Sequence, residues 1–243
     1  MQETTYIYGI RAIIEAIESD KDISKIYLLK DGDGVLLNQL KSVARENNIN
    51  VSYVPSEKLD HLAKGNHQGA VASISPVKFQ DLEQLLENTD LSSQPCFLLL
   101  DGVTDVRNFG AIIRTAECTG VQGIVIAEKG SAPINGATVK TSAGAVFNIP
   151  ICKVAHIKDA VYLMQAYGIQ TVGASEKADQ LIYDVDLKQP TAIVMGSEER
   201  GINPSTLKVL DHTIKLPMAG EIASLNVSVA CGAILYEVVR QRL

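Results

Sequence analysis

Five short runs of strand-forming residues, most of them continuously apolar, constrain what this 243-residue chain can fold into more than any other feature. They are Cys96-Leu100, Gly123-Ala127, Ile169-Gly173, Thr191-Met195 and His212-Leu216, and helical patterns separate them. A strand apolar on both faces has to be covered on both faces, as in a parallel sheet packed between helices. An α/β architecture is therefore expected from residue 95 onward. Several of the runs pass directly into a Gly, Asp or Ser loop. In open α/β sheets ligands lie beyond the carboxyl ends of the strands, so those loops are where chemistry should be sought.

The first 76 residues read as a smaller α/β domain. Ile10, Ile13, Ile14 and Ile17 recur at the spacing that lines one face of a helix. A strand at Lys25-Leu29, a helix over Leu36-Asn47 and a strand at Val51-Val54 follow, and the Gly65-Asn66-His67-Gln68-Gly69 loop leads into a strand at Ala70-Ile74. Residues 77–94 are polar and acidic with room for one short helix, and are expected to be a linker. Residues 95–243 form the larger domain.

Composition narrows the function classes. With 46% hydrophobic and 21% charged residues, disorder, collagen and disulfide scaffolds are excluded. The net charge of −6 gives nucleic-acid binding no support by itself. Half of that excess, however, sits in the expected linker, where Lys78 faces Asp81, Glu83, Glu87 and Asp90. No secretory leader or membrane-length apolar run is visible, so a cytoplasmic protein without membrane attachment is expected. The four cysteines are scattered with no Cys-x-x-Cys pair, which fits reduced, buried thiols and no metal site.

Three loops carry chemistry-bearing residues. The first, Asp101 to Gly110, opens a helix whose apolar face is Phe109, Ile112, Ile113 and Ala116. That pattern puts Asn108 at the N-cap and Arg114 at the border of the buried stripe. The second loop, Met195 to Pro204, is bounded by Gly196 and Gly201 and carries Glu198 at its apex. The third, Leu216 to Ala230, holds Ser224 and Asn226 ahead of a long helix with apolar positions Val227, Ala230, Cys231, Ile234, Leu235 and Val238. Leu225, Val229 and Ala233 widen that apolar surface, so the helix should be deeply buried or form a subunit interface. Singly, each polar residue reads as a helix cap or a solvated charge.

Together, Asn and Arg after one strand, a Gly-bounded Glu after another and Ser-Leu-Asn after a third resemble the three motifs of the SpoU (TrmH-like) RNA ribose 2'-O-methyltransferases. Leu99 to Ala116 is similar to motif 1, Ile193 to Pro204 to motif 2, and Leu216 to Glu237 to motif 3. Val106 stands where motif 1 usually has proline. Tyr8 to Ala12 and His67 to Val71 further resemble the N-terminal substrate-binding domain of the members that act on 23S rRNA guanosines, a domain similar to ribosomal protein L30e. Arg11 replaces a common histidine there.

This resemblance implies an L30e-like domain followed by an α/β-knot domain with a trefoil-knotted parallel sheet. It implies S-adenosylmethionine as cofactor, bound at Gly196, Leu216, Met218 and Leu225, and a homodimer. It implies 23S rRNA as the RNA partner, with neither DNA nor metal involved. Asn108, Arg114, Glu198, Ser224 and Asn226 match the catalytic positions. Arg114 matches the family's proposed base, but a guanidinium with a pKa above about 12 rarely gives up a proton, so phosphate binding and stabilisation of alkoxide charge suit it better. The near-neutral folded domains imply selection by RNA shape and a modest salt dependence. A tRNA or other rRNA 2'-O-methyltransferase is the alternative within the family, and a non-catalytic RNA-binding or assembly protein the alternative outside it. A nucleotide-dependent oxidoreductase is excluded because Asp101 to Gly110 lacks a dinucleotide fingerprint.

Overall fold

The computed structural model describes residues 6–19, 21–221 and 224–243. The chain divides between Lys78 and Phe79 into two compact units, with residues 133–137 grouped with the first.

The first unit contains β1 (Tyr6–Tyr8), α1 (Ile10–Glu18), β2 (Ile23–Leu29), α2 (Val35–Glu46), β3 (Val51–Val54), α3 (Ser56–Leu62) and β4 (Ala70–Ile74). Its sheet runs β1-β4-β2-β3, with β4 antiparallel to both neighbours and β2 parallel to β3. Alternation divides the side chains between two cores. Ile26 and Leu28 of β2 and Ala70 and Ala72 of β4 pack with Ile13 of α1 and Leu40 of α2, whereas Tyr27 and Val71 pack with Leu59 of α3. Small alanines beneath two helices let them sit close to the sheet. The sequence pattern captured β2, α2, β3 and β4 to within a few residues. It missed β1 and α3, a three-residue edge strand and a seven-residue helix, both too short for periodicity to mark.

The rest of the chain runs as α4 (Leu82–Glu87), β5 (Cys96–Asp101), α5 (Val106–Cys118), β6 (Gly123–Ala127), α6 (Gly136–Thr141), β7 (Ile151–Val154), α7 (Ile157–Ala166), β8 (Gln170–Ala174), β9 (Gln180–Leu181), β10 (Thr191–Gly196), α8 (Pro204–Leu207), β11 (His212–Lys215) and α9 (Val227–Arg242), all in the second unit except the first two residues of α6. Seven parallel strands lie in the order β7-β6-β5-β10-β8-β11-β9. All five expected strands are present, joined by the short edge strands β7 and β9. The four neighbours β5, β10, β8 and β11 form the middle of the sheet. Register pairs Gly196 with Asp101 and Ile214 with Ala174, so the loops leaving these strands emerge together at one edge.

The expected linker is largely not one. Leu82 and Leu86 are buried in a cluster with Phe97, Val125, Val161 and Met164. Asp81 caps α4 by accepting from the Gln84 amide at 2.9 Å, and the Gln80 amide donates to the Ile151 carbonyl at 2.9 Å. The acidic residues of this stretch occupy the outward face of a helix whose leucines are spaced for packing, and counting charges hid that second face.

Buried thiols are expected from the sequence, and Cys96, Cys152 and Cys231 meet that expectation, but Cys118 is exposed at the end of α5. Burial pushes the Cys96 thiol up to about 11 and Cys152 up to about 12, and raises Cys231 as well. Since the thiolate is the reactive form, a disulfide reagent applied to the native protein is expected to modify Cys118 rapidly and the other three only on unfolding. Two fast-reacting thiols in an Ellman titration would contradict this burial pattern.

Among the described residues no helix is long and apolar enough to cross a membrane. The carboxyl end of α9 is tied to the 185–189 segment. Gln241 donates to the Val185 carbonyl and accepts from the Leu187 amide, and Arg242 donates to the Leu187 and Gln189 carbonyls. Glu237, buried on α9, accepts from Arg240 Nε and Nη2, each at 2.8 Å, and from Gln241 Nε2 at 2.9 Å.

Candidate functional site

The loops at the carboxyl edge of the parallel sheet surround a cavity of roughly 440 Å³ within the second unit. Its wall comes from three places: Ala174 to Lys177 at the end of β8, Met195 to Gly201 at the end of β10, and residues of β11, the loop after it and the start of α9, namely Ile214 to Leu216, Met218, Ser224 to Val227, Ala230 and Ile234. Two features shape the β10 loop. Ser197 and Gly201 exchange backbone hydrogen bonds at 2.9 and 3.1 Å, which closes a tight turn, with Gly201 at a φ of +67°. Gly196 lies so close beneath the returning chain that a methyl there would land on the Gly201 carbonyl carbon and the Ile202 amide. Glycine is therefore required at 196 by backbone clearance.

Asp101, opposite Gly196 in the register, accepts from the Asn203 amide at 2.9 Å and pins the far end of this turn to β5. Asn203 in turn caps α8 through its bond from the Ser205 amide at 2.9 Å. The turn is thus anchored at both ends with Glu198 held at its apex.

Three polar residues from the three loops meet at Glu198. Its Oε1 accepts from Asn108 Nδ2 at 2.8 Å and from Asn226 Nδ2 at 2.7 Å, and Asn226 Nδ2 also donates to Asn108 Oδ1 at 3.1 Å. The orientation of the Asn226 amide is set by its other end. Asn226 is the N-cap of α9, and its Oδ1 accepts from the Ser228 and Val229 amides at 3.0 and 3.4 Å, so the NH₂ group must face Glu198. The capping expected from the sequence is real, and the same side chain also joins the three loops. Asn108, by contrast, is not the N-cap of α5. Asp105 is, accepting from the Arg107 and Asn108 amides at 2.8 and 2.9 Å. With its backbone already satisfied, the Asn108 side chain is free to reach Glu198.

The other residues singled out in the sequence separate into two groups. Gly196, Leu216, Met218, Ser224 and Leu225 line the cavity with Glu198 and Asn226. Arg114 does not. It is exposed on α5, six residues beyond Asn108, and makes no hydrogen bond or ion pair with another described residue. Two members of the expected third motif, Ile222 and Ala223, lie outside the described residues. Sequence reading missed Asp101 as an anchor, and it missed Ser175, Glu176 and Lys177, which line the cavity. The signal was available: they follow the carboxyl end of a parallel strand, where the same rule identified the other loops.

The cavity suits a ligand of mixed character. Leu216, Leu225 and Ile234 offer apolar wall, while Glu176, Lys177, Glu199 and Arg200 bring both signs of charge. Its volume falls in the range of about 300–1,000 Å³ usual for small-molecule sites.

Comparison with known proteins decides the family. Residues 95–236 match the SpoU rRNA Methylase family, and residues 6–80 match the family described as RNA 2'-O ribose methyltransferase substrate binding. The chain belongs to the SpoU rRNA methylase family. By that membership it is an S-adenosylmethionine-dependent RNA methyltransferase, and its second unit has the SpoU fold. Among its relatives, this SpoU methylase is 37% identical to the 23S rRNA (guanosine-2'-O-)-methyltransferase RlmB of Pseudomonas aeruginosa over 247 residues, covering all of this chain and 98% of that protein. It is 35% identical to the putative TrmH family tRNA/rRNA methyltransferase YacO of Bacillus subtilis, covering 99% and 97% of the two chains. The crystal structure of the SpoU methyltransferase AviRb from Streptomyces viridochromogenes in complex with AdoMet aligns with a TM-score of 0.62 and 28% identity, covering 98% of this chain and 90% of that one.

Proposed function

We propose that this SpoU methylase transfers a methyl group to the ribose 2'-hydroxyl of a guanosine in 23S rRNA, acting as a cytoplasmic homodimer without a metal ion. The observation that carries the reading is the junction of Asn108, Glu198 and Asn226 beside a cavity of mixed polarity. The full-length similarity to RlmB of Pseudomonas aeruginosa supports the choice of RNA.

In this reading Gly196, Leu216, Met218 and Leu225 hold S-adenosylmethionine in the cavity. The cofactor supplies a methyl group already activated on a sulfonium centre, so what is left to the protein is positioning and proton handling. The ribose oxygen forms the new C–O bond as the S–CH₃ bond breaks, and the hydroxyl proton leaves to a neighbouring phosphate oxygen or water. Arg114 holds that phosphate and stabilises the negative charge developing on the oxygen. Glu198, bound by two amides, keeps the loops of all three motifs in one arrangement. Ser224 orients the ribose beside it.

The homodimer rests on α9. Its inner face buries Val227, Cys231, Ile234, Leu235 and Val238, while Val229 and Tyr236 are 56% and 57% exposed on a single chain with Ala233 between them. These three recur at helical spacing, and a second copy covers them. Residues 6–80 serve as the RNA-recognition domain and residues 95–236 as the catalytic one.

Incubation with isotopically labelled S-adenosylmethionine and 23S rRNA, tRNA or DNA tests the proposal. The label is expected in 23S rRNA, recovered as 2'-O-methylguanosine on digestion, with DNA inert because it lacks the acceptor hydroxyl. Label confined to tRNA, or found on a base, would overturn it.

A further inference from the structure

A second cavity, within the first unit, takes no part in the chemistry above. It has a volume of roughly 470 Å³ and is bounded by Leu29, Val35 and Leu36 together with Gln68 and Gly69, with Asp33 among its lining. Val35, the first residue of α2, is 87% exposed and Leu36 is 37% exposed. Two large apolar side chains thus stand exposed beside a hollow.

Asp33 is the one charged residue among those that line this hollow, and Gln68 adds an amide that can donate and accept. Asp33 Oδ1 accepts from the Gly34 amide at 2.7 Å and from Asn38 Nδ2 at 3.2 Å, while Oδ2 accepts from no described residue. The Gly34 amide first, and the Asn38 amide second, hold the Asp33 carboxyl below the usual carboxylate range. At neutral pH it is an acceptor only. One cation stands at the rim: Lys41 Nζ donates to the Gly32 carbonyl at 3.4 Å and to Asn38 Oδ1 at 3.3 Å. Arg11 and Lys30 are exposed and follow the wall residues Ile10 and Leu29 in sequence.

An apolar slot with one unused carboxylate oxygen and basic neighbours fits a flat base bearing donors, attached to a chain of phosphates. Unpaired RNA bases are recognised in this way, by packing on their faces and hydrogen bonds to their Watson–Crick edges, while cations on the phosphates fix position. Guanine alone among the four RNA bases presents two adjacent donors there, N1–H and the N2 amino group. Adenine and cytosine each place a ring acceptor beside the amino donor, which a carboxylate repels, and uracil places its one N–H between two carbonyls.

We propose that the cavity beside the Gly32–Gly34 loop binds an unpaired guanine of the RNA substrate, with Asp33 Oδ2 accepting from its Watson–Crick edge and Val35 and Leu36 packing on the base. This rests on reading the chain as an RNA methyltransferase. Loss of one base-edge pair typically weakens binding by about tenfold or more.

Two measurements on the full-length protein test it. In methyl-resolved NMR, GMP is expected to shift the Val35 and Leu36 signals, AMP far less, and D33N to abolish the preference. No response to GMP, or equal responses to GMP and AMP, overturns the proposal whatever the enzyme methylates. In steady-state methylation of 23S rRNA, D33N and V35E are each expected to raise KM for RNA by about tenfold with kcat unchanged; an unaltered KM in both also overturns it. Both positions are exposed, so neither substitution threatens folding. A wild-type protein that binds GMP here yet methylates no RNA would instead sink the function proposed above and leave the pocket standing.

Discussion

Replacing Arg114 by Lys is expected to leave S-adenosylmethionine affinity at its wild-type value and to lower methyl transfer by about 10²–10³-fold, the usual cost of removing one preorganised donor from a developing negative charge. The guanidinium offers a planar fork that grips a phosphate through two N–H groups, whereas an ammonium is a point charge on a flexible stem. The position separates chemistry from folding cleanly. Arg114 is exposed, lies outside the cavity and makes no hydrogen bond or ion pair with another described residue. Surface substitutions of that kind change stability by no more than about 0.5 kcal/mol. Calorimetry with the cofactor and single-turnover methylation check the two halves of the expectation. Near-wild-type turnover would remove Arg114 from the reaction, and loss of cofactor binding would move its role to the cavity.

Replacing Gly196 by Ala is expected to do the reverse and remove cofactor binding. The added methyl has nowhere to go, because the atoms in its way are the backbone of Gly201 and Ile202 rather than a side chain that could rotate. The turn must lift away from β10. That pulls on the Ser197–Gly201 bridge, on the Asp101 anchor at Asn203 and on Glu198, which holds Asn108 and Asn226. Overpacking of this sort costs about 1–3 kcal/mol of stability. A displacement of about 1 Å at a catalytic loop is enough to cost about 10² in rate. Thermal unfolding with and without S-adenosylmethionine checks this: the variant should melt lower and lose the stabilisation that the cofactor gives the wild type. A ligand-induced shift equal to that of wild type would show that clearance at 196 does not govern the site.

Much of this arrangement was legible in the sequence where local chemistry and tertiary packing ask for the same residue. The β5 and β10 runs are apolar because both faces are covered, and their carboxyl ends point to the site. Asn226 could be read as a cap since capping is local, but its second role, joining Glu198 and Asn108, depends on residues far away in sequence. Asn108 shows the converse. Its position before an apolar face suggested a cap, yet Asp105 begins the helix one turn earlier and leaves Asn108 for the junction. The segment after residue 78 differs from its expected linker for a related reason: its charges mark one face of α4, and its burial depends on Phe97, Val161 and Met164, which the local sequence does not contain. Cavity residues after β8 carry no motif at all, and only the topology of the parallel sheet makes them neighbours of the β10 loop.

Nucleotide-resolution mapping of ribose methylation across all rRNA and tRNA, in cells with and without this chain, tests the proposed activity most directly. The expected result is loss of a single 2'-O-methyl group at a guanosine of 23S rRNA, restored by the wild-type chain and not by the Arg114→Lys variant. A 23S methylation profile unchanged by removal of the chain would contradict it.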